Sequence, residues 1–434
     1  MIEKKTLNIC IAGLGTVGSS VIQTIMNNQG VINKKSDIYF NILGISANNK
    51  NKKRSFNTDS FTWYENPLDL AELKDCNVIV ELIGEEKGIS FELVKKALEN
   101  KINVVTANKA LLSRHGNELF EIAEKNSVLL LFEAAVAGGI PIIKILKESV
   151  YLHNIIKISG ILNGTTNFIL TEMENKNASF DQILKEAQKN GYAEANPTND
   201  IEGIDAAHKL SLISSLSFGS TIDFESINYL GISNIHIDDI KNADKLGYKI
   251  KLISETEVIN NKLKSVVEPK LIKKKSYLAN INGVLNAIKI KTDQLNPLIL
   301  VGEGAGGKAT ASSIISDLYD IIKNTNHKSL GFTVKKLQKF DNFDIQNNIS
   351  SYYLRIMVKD IPGVLAEITS NLNKQGISVE TIFQIPENNI DSIPIIIVTH
   401  EISKNFLLNA VSKIEELDFV SEKIAIITID KSLE

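Results

Sequence analysis

Two carboxylates and a lysine lie close together near the middle of the chain. Glu194 is followed, after a Gly/Pro-rich stretch, by Asp205 and Lys209. Pro197 prevents a helix from running through this stretch, so we expect Glu194 on a loop or helix end. The pattern of residues 204–218 predicts a helix, which places Asp205 and Lys209 on one face. Such a pair can bind a polar substrate and donate a proton, or it can be a structural ion pair.

A glycine-rich turn at the N-terminus predicts a nucleotide site that could work with these groups. Residues 7–12 form a short apolar run of strand type, and residues 17–28 continue with helical spacing. Between them, the first glycine permits a tight turn, the second lets a pyrophosphate approach the backbone, and the third lets the helix pack on the strand. The candidate cofactor contacts are Gly13, Leu14, Gly15, Thr16, Val17 and Gly18.

The second predicted strand, residues 38–45, bears on the choice of dinucleotide. It ends in Ser46-Ala-Asn48, without the acidic residue that usually binds the ribose hydroxyls of NAD. The basic residues that follow, and that suit a 2′-phosphate, are Lys50, Lys52, Lys53 and Arg54. The sequence therefore favours NADP(H), with NAD(H) as the other cofactor to test. A solvated lysine-rich loop is the alternative.

Composition predicts an enzyme of two or three domains. The chain has 434 residues, of which 43% are apolar and 23% are charged, with a formal net charge of -3. Basic residues are spread among acidic ones, so we expect no nucleic-acid partner. Cys10 and Cys76 suggest buried thiols in a reducing compartment. Residues 7–12 are too short for a signal peptide, and charges, glycines and a proline interrupt residues 128–146, so we expect a cytoplasmic protein without membrane contact.

The order of the elements predicts an α/β architecture with three units. Short apolar strands alternate with helical segments up to about residue 132, which indicates a Rossmann-type parallel sheet. We predict a nucleotide domain at 1–135, an α/β substrate and dimerisation domain at 136–323, a linker at 324–349 and a third unit at 350–434. The glycine-rich segment and helix at 302–322 are expected to pack back on the nucleotide domain.

The third unit has the order β-α-β-β-α-β, which is the ferredoxin-like arrangement. The predicted strands are residues 352–358, 378–384, 393–399 and 423–429, with a turn at 386–389 and a second helix at 403–417. Asp360-Ile-Pro-Gly-Val-Leu365 forms the first strand-helix turn, and with it the unit resembles an ACT domain, a small amino-acid-sensing module. A unit that only mediates dimer contacts is the alternative.

Several motifs in order over residues 7–320 resemble homoserine dehydrogenase. The motifs are Gly13-Leu-Gly-Thr-Val-Gly18, Val105-Thr-Ala-Asn-Lys-Ala110, Glu133-Ala-Ala-Val-Ala-Gly-Gly-Ile-Pro141, Gly160-Ile-Leu-Asn-Gly-Thr-Thr-Asn167, Gly191-Tyr-Ala-Glu194, Gly203-Ile-Asp-Ala-Ala-His-Lys209 and Gly302-Glu-Gly-Ala-Gly-Gly307. The chain is similar to the monofunctional form with a C-terminal ACT domain, without a fused aspartate kinase. The resemblance implies reversible reduction of aspartate 4-semialdehyde to homoserine by NAD(P)H, on the route to threonine, methionine and isoleucine.

The resemblance also implies roles for individual residues. Lys209 is expected to be the proton donor, and Glu194 and Asp205 to hold the substrate, with a backbone contact from Gly191. Lys109 is expected to be a second cation of the site, close to cofactor and substrate, or else a solvated lysine at a helix start. Gly302 is expected to contact the cofactor. His208 is adjacent to Lys209 but points about 100° away around the helix, so we do not expect it to be the acid.

The resemblance further implies a structural sodium ion, threonine as the amino-acid effector, and a homodimer or homotetramer. The ion would be held by one carboxylate and backbone carbonyls, contributed by Glu133, Val136, Gly138 and Ile140. Asn196 stands where the family commonly has aspartate.

Two other functions remain open at this point. One is a different NADP-dependent oxidoreductase that acts on a small amino-acid-like aldehyde and dispenses with the carboxylates Glu194 and Asp205. The other is a regulatory protein in which the nucleotide domain is a sensor. The joint presence of Lys109, Glu194, Asp205 and Lys209 argues against lost chemistry.

Overall fold

The first part of the molecule is a parallel sheet covered by helices. The computed structural model describes residues 5–323, 328–384 and 392–433. The elements here are β1 (Lys5–Ala12), α1 (Thr16–Ser36), β2 (Ile38–Ser46), β3 (Val78–Glu81), α2 (Ile89–Glu99), β4 (Asn103–Thr106), α3 (Lys109–Asn126) and β5 (Leu130–Leu131). Neighbouring strands are parallel, in the order β2-β1-β3-β4-β5. The predicted Rossmann-type parallel sheet is confirmed.

Strand β1 is buried on both faces, which explains its continuous apolar sequence. Ile9 and Ile11 pack into the core on the α1 side, whereas Cys10 and Ala12 pack into the core beneath α2 and α3. The strand order reverses between β1 and β3. Ligands of such sheets bind at the carboxyl ends of the strands at this reversal, which is where the glycine-rich turn lies.

A second α/β unit follows, as predicted. Its elements are α4 (Ile142–Lys144), β6 (Ile155–Ile161), α5 (Gly164–Lys176), α6 (Phe180–Lys189), α7 (Thr198–Ile201), α8 (Ile204–Phe218), β7 (Asn228–Tyr229), α9 (Ile237–Lys245), β8 (Tyr248–Ile259), β9 (Lys262–Lys273), β10 (Leu285–Thr292) and β11 (Leu298–Glu303). The main strands are antiparallel in the order β11-β10-β6-β8-β9. Helices α5, α8 and α9 pack on this sheet, so the sheet fixes where α5 and α8 begin.

After β11 the chain returns to the nucleotide domain as α10 (Gly307–Lys323). This helix packs along α1, and its buried Ala311, Ile314 and Leu318 share a core with Val21 and Ile25. The glycine-rich segment before α10 is thereby brought to the nucleotide turn. Within the described residues, no helix has the length and apolarity needed to cross a membrane.

The C-terminal unit forms an antiparallel sheet with two helices. Its elements are β12 (Asp341–Asn342), β13 (Ile349–Val358), α11 (Val364–Lys374), β14 (Val379–Gln384), β15 (Ile393–Thr399), β16 (Ile402–Ser403), α12 (Lys404–Glu415) and β17 (Ala425–Asp430). The main strands are arranged as β17-β13-β15-β14, which is the ferredoxin-like order. The turn predicted at residues 386–389 lies outside the described residues.

The C-terminal sheet continues the sheet of the substrate domain. Strand β17 pairs in parallel with β9, so that Thr428 is opposite Lys270. Strand β13 divides its side chains between two cores: Tyr352 faces α11 and α12, whereas Tyr353 belongs to the main core. The segment predicted as a linker contains β12, which pairs with β9 of the substrate domain. Its earlier residues bond to the nucleotide domain, where Leu130 N donates to Ser329 Oγ and Val334 N donates to Glu124.

Candidate active site

Asp205 lies between two lysines that come from different domains. It is in the first turn of α8, which begins after Gly203. Lys209 Nζ is 2.5 Å from Asp205 Oδ2, and Lys109 Nζ is 3.3 Å from Asp205 Oδ1. Lys109 is the first residue of α3 and follows the carboxyl end of β4. The three charged groups therefore meet where the nucleotide and substrate domains face each other.

Lys209 is held by a second partner beside the sheet. Its Nζ donates to the carbonyl oxygen of Leu162, 2.8 Å away, at the end of β6. The side chain of Lys209 is only 9% exposed, whereas that of Lys109 is 40% exposed. Lys209 is thus fixed in the buried part of the site, and Lys109 lies on the side that solvent and ligands can reach.

Asn163 connects these charges to the start of α5. Its amide nitrogen donates to Asp205 Oδ2 at 2.9 Å and to Asp200 Oδ1 at 2.7 Å, while its amide oxygen caps α5 by accepting from Thr166 N. Among the described residues, the N–H groups of Gly164 and Thr165 have no bonded acceptor. A helix start of this kind can bind an anionic group. Sequence reasoning missed Asn163, Asp200 and this helix start, for which the motif at residues 160–167 was the available signal.

Electrostatics keep the site charged near neutral pH. Burial opposes ionisation of Asp205, but Lys209, Lys109 and the amide of Asn163 outweigh it, and its pKa lies well below the usual range. The charge of Asp205 raises the pKa of Lys109, against the effect of burial. Burial and the charge of Asp205 together raise the pKa of Asp200. Asp205 is therefore ionised and Lys109 is protonated near neutral pH.

Glu194 lies on a turn after α6, as its neighbour Pro197 predicts. The turn is held over α5 because Thr165 Oγ1 donates to the carbonyl of Tyr192, at 2.6 Å. Gly191 has the left-handed φ of +75° that lets the chain leave α6 here. The charge of Glu194 contributes to raising the pKa of Lys109, so the exposed carboxylate lies on the lysine side of the site.

Asn196, the departure from the family pattern, has a local structural partner. Its side-chain oxygen accepts from the backbone N–H and the hydroxyl of Thr198, at 3.3 and 2.7 Å. An asparagine oxygen can form this turn as well as an aspartate oxygen can. The substitution therefore leaves the start of α7 intact.

The glycine-rich turn after β1 has the close packing that its pattern predicts. Gly13 has φ of +96°, and a Cβ there would lie 2.3 Å from the backbone of Leu82. A Cβ on Gly18 would lie 2.0 Å from the carbonyl oxygen of Gly13, whereas nothing lies within 4 Å of a Cβ on Gly15. Helix α1 starts here without a side-chain cap, beside a cavity of about 270 Å³. These features fit a bound pyrophosphate.

Arg54 organises the basic loop after β2. Its guanidinium donates to the carbonyls of Leu14, Asn49, Lys50 and Lys52, and it lies 5.5 Å from the ring centre of Trp63. The donors of Arg54 are thus engaged by the backbone. Lys52, which is exposed and lines the cavity, is the cation better placed for a 2′-phosphate.

The segment from Gly302 to Gly307 connects the site to both domains. Gly302 is in β11 with Ile140 beside it, and Gly304 packs against Asn286 and the backbone of Gly138. A Cβ on Gly307 would lie 2.3 Å from Ser20 Oγ in α1. The segment therefore reaches the first turns of the helix at the nucleotide site.

The residues predicted to hold sodium surround a buried carboxylate. Glu133 is 1% exposed, and its oxygens accept from the N–H groups of Ile143 and Lys144 at 2.9 and 3.0 Å. Burial raises the pKa of Glu133 to about 7 and that of neighbouring Asp317 to about 8. The oxygens available in this region come from two carboxylates and from the main chain, a set that fits a hard cation.

The carbonyls of the same turn are partly used. Gly138, with φ of +52°, accepts from Ser313 Oγ at 2.6 Å, and Ile140 accepts from Ile142 N at 2.8 Å. Val136 follows the short helical turn that contains Glu133, and it is fully buried. In the described part of the chain, no three His, Cys, Asp or Glu side chains come together as a metal site.

Comparisons with known proteins show which family the chain is similar to. The family model described as homoserine dehydrogenase matches residues 141–319, and the one for the NAD binding domain of homoserine dehydrogenase matches residues 13–133. The chain is 40% identical over 432 residues to the homoserine dehydrogenase of Neisseria gonorrhoeae, covering 98% of this chain and 99% of that protein. For that of Bacillus subtilis the identity is 35% over 420 residues, with coverages of 96% and 97%. A crystal structure of a homoserine dehydrogenase from Thiobacillus denitrificans superimposes with a TM-score of 0.91 at 37% identity, covering 98% of both chains.

Proposed function

Since the chain belongs to the homoserine dehydrogenase family of NAD(P)-dependent oxidoreductases, we propose that it catalyses the reversible reduction of L-aspartate 4-semialdehyde to L-homoserine. The observation that carries the proposal is the cluster of Lys209, Asp205 and Lys109 between the two domains. It places buried and accessible cations around one carboxylate, beside the carboxyl ends of the parallel strands. The pathway served would be that of threonine, methionine and isoleucine.

Lys209 is the proposed proton donor. Bound NAD(P)H supplies the hydride that adds to the aldehyde carbon. Negative charge then develops on the aldehyde oxygen, and Lys209 Nζ stabilises it and transfers a proton to it. Asp205 and the carbonyl of Leu162 hold this nitrogen in place, so it needs little reorganisation when substrate arrives. Lys109 is proposed as the second cation, which orients the substrate next to the cofactor.

The amino-acid end of the substrate requires both signs of charge. Its α-ammonium suits the carboxylates of Glu194 and Asp205, and Asp200 adds a third close by. Its α-carboxylate suits the unbonded N–H groups at the start of α5. Gly191 is proposed to contribute a backbone contact from the turn above.

We test the proposal by following homoserine-dependent reduction of NADP⁺ and NAD⁺ at the nicotinamide absorbance, with purified protein. Turnover with homoserine, and not with other small amino alcohols, is the expected result. Turnover only with another substrate would favour a different oxidoreductase of the same fold. Nucleotide binding without turnover, by folded protein, would favour the sensor.

NADP(H) is the proposed preferred cofactor, and Lys52 carries the preference. We expect Lys52→Ala to lower kcat/KM about 10-fold for NADP⁺ and to leave that for NAD⁺ unchanged, because a charge-assisted bond to a 2′-phosphate is lost. Steady-state kinetics with both cofactors measures this. Lys74→Ala, an exposed lysine of the same domain, is the matched control. Equal losses with both cofactors would contradict the assignment.

A structural sodium ion is proposed at Glu133, Val136, Gly138 and Ile140, and the buried carboxylates of Glu133 and Asp317 support it. Sodium that binds only the folded protein raises its melting temperature. We therefore expect a higher Tm in sodium chloride than in choline chloride at equal ionic strength, and no such difference in Glu133→Gln. The same Tm in both salts would exclude the site.

Residues 350–434 are proposed to form an ACT regulatory domain that binds threonine, with 1–135, 136–323 and 324–349 as nucleotide domain, substrate domain and linker. The β-α-β-β-α-β order and the turn at Asp360 support the assignment. A homodimer or homotetramer is proposed, since β14 pairs with β15 on one side and has no strand on its other side among the described residues. The activity assay with threonine present measures the regulation, and light scattering measures the oligomeric state. If threonine does not change the activity, the role that remains for residues 350–434 is to mediate dimer contacts.

A further inference from the structure

His208 is the residue next to Lys209 that the proposed chemistry does not use. Its side chain reaches α3, where Nδ1 lies 2.6 Å from Ser113 Oγ. The serine hydroxyl also lies 2.9 Å from the carbonyl oxygen of Ala110, to which it can donate. The tautomer of the imidazole decides which of the two side chains donates in the bond between them. The ring is 8% exposed and stacks on Phe224, with ring centres 4.2 Å apart.

The bond to Ser113 belongs to a seam between α3 and the substrate domain. Arg114 lies 4.3 Å above the ring of Phe224 and pairs with Glu225. Asn117 exchanges two hydrogen bonds with the backbone of Ile222, at 2.8 and 3.0 Å. These contacts lie on the first three turns of α3. They fix the helix that begins at Lys109 to the domain that contains Asp205.

We propose that His208 is a positioning residue, whose bond to Ser113 sets α3 against α8 and so holds Lys109 within reach of Asp205. This inference rests on the proposed function only for its kinetic readout. Ser113 is one helical turn after Lys109, so its anchoring determines where the first turn of α3 lies. The lysine side chain is long and 40% exposed, and its ion pair among the described residues is the one with Asp205.

The state of the imidazole suits this role. Burial lowers the pKa of His208 to about 4, against the opposing charge of Asp205, so the ring is neutral at working pH. A neutral ring can form the bond to Ser113 in either tautomer, and it adds no third positive charge near Lys109 and Lys209. A proton donor to the substrate would have to face the other side of α8.

Three variants of the full-length protein separate positioning from bulk structure. His208→Phe keeps an aromatic ring to stack on Phe224 and loses Nδ1, whereas His208→Asn keeps a hydrogen-bonding amide near the position of Nδ1. Ser113→Ala removes the hydroxyl. We expect His208→Phe and Ser113→Ala each to lower kcat for homoserine about 10-fold, with KM for the cofactor unchanged. The kcat of His208→Asn should stay within about 3-fold of the wild-type value. The double variant with His208→Phe and Ser113→Ala should have a kcat no lower than that of either single variant.

The pH profile and the reactivity of Lys109 provide the second readout. The charges that act on Lys109 come from Asp205, Asp200 and Glu194, and Lys209 lies at the other oxygen of Asp205. If the pair with Asp205 loosens, the Lys109 pKa falls, and the basic limb of kcat/KM moves to lower pH. Lys109 should then react about 3-fold faster with acetic anhydride, as quantified by mass spectrometry of the digested protein, whether or not homoserine is the substrate.

Wild-type kcat and labelling in Ser113→Ala would overturn the inference, as would equal losses in His208→Asn and His208→Phe. If the wild-type protein fails to oxidise homoserine while the variants still show the expected increase in Lys109 labelling, the result would contradict the proposed function alone.

Discussion

Replacement of Lys209 by alanine is expected to lower kcat for homoserine oxidation about 1,000-fold and to leave the Kd for NADPH within about 2-fold. Lys209 is the buried cation of the site, and its ammonium is held by Asp205 and the carbonyl of Leu162. Without it, no group at that position can transfer the proton or balance the developing charge. The nucleotide turn is built from β1 and α1, which the change does not touch.

The matched control for Lys209 is Lys176. It also pairs with a carboxylate four residues earlier, Glu172, at 2.9 Å, but on an exposed helix face. We expect Lys176→Ala to retain wild-type kcat, because an exposed pair of this kind contributes little. Steady-state kinetics and a fluorescence titration with NADPH measure both variants. Loss of NADPH affinity in Lys209→Ala would show that the lysine serves the cofactor and not the substrate.

Local spacing was sufficient to predict one half of the charge cluster. Asp205 and Lys209 are four residues apart in a helix, so their contact follows from helix geometry alone. The contact between Lys109 and Asp205 joins helices α3 and α8 of different domains, and no local pattern reports it. For the same reason the sequence did not reveal that Asn163 binds both Asp200 and Asp205. Such contacts depend on how the two sheets are placed, which periodicity does not encode.

The C-terminal unit shows the same division between local and distant information. Alternating residues predicted its strands, and their order predicted the ferredoxin-like sheet. The sequence did not predict that this sheet continues the sheet of the substrate domain through the pairing of β17 with β9. Arg355 on β13 donates to the fully buried carboxylate of Asp239 on α9, at 2.7 Å, across 116 residues. A polar strand residue and a helix-start aspartate each have ordinary local explanations, so their pairing left no signal in the sequence.

The basic loop after β2 illustrates a limit of composition. Four basic residues within residues 50–54 suggested a phosphate site, without distinguishing among the four. Two of them, Lys52 and Arg54, line the cavity, and the structure separates these two because Arg54 uses its donors to fold the loop whereas Lys52 is exposed. An arginine can bind backbone carbonyls with several donors at once, and a lysine has no such planar fork.

Asp205→Asn is expected to lower kcat/KM for homoserine about 1,000-fold. The substitution keeps the shape of the side chain and removes the one charge that both lysines share. Lys109 then loses the main cause of its raised pKa, and Lys209 loses a partner that fixes its ammonium. The substrate ammonium also loses a carboxylate. Steady-state kinetics from pH 6 to 10 should show a lowered kcat/KM at every pH, and the basic limb of the kcat/KM profile should lie at lower pH than in the wild type.

The stability of this variant provides an independent check with a definite sign. The pKa of Asp205 is depressed in the folded protein, so its ionised form stabilises the fold above the unfolded pKa of about 4. That contribution is lost as the pH falls through the lower folded pKa. The difference in Tm between wild type and Asp205→Asn should therefore be largest near pH 7 and shrink below about pH 4.

Glu172→Gln breaks the exposed pair of the same spacing, and it should change neither kcat/KM nor the acid dependence of Tm measurably. If Asp205→Asn instead kept full activity while Tm fell, the carboxylate would serve only to neutralise the two neighbouring lysines. The proposed contact with the substrate ammonium would then have to come from Glu194 and Asp200 alone, and each of these can be replaced by its amide in turn.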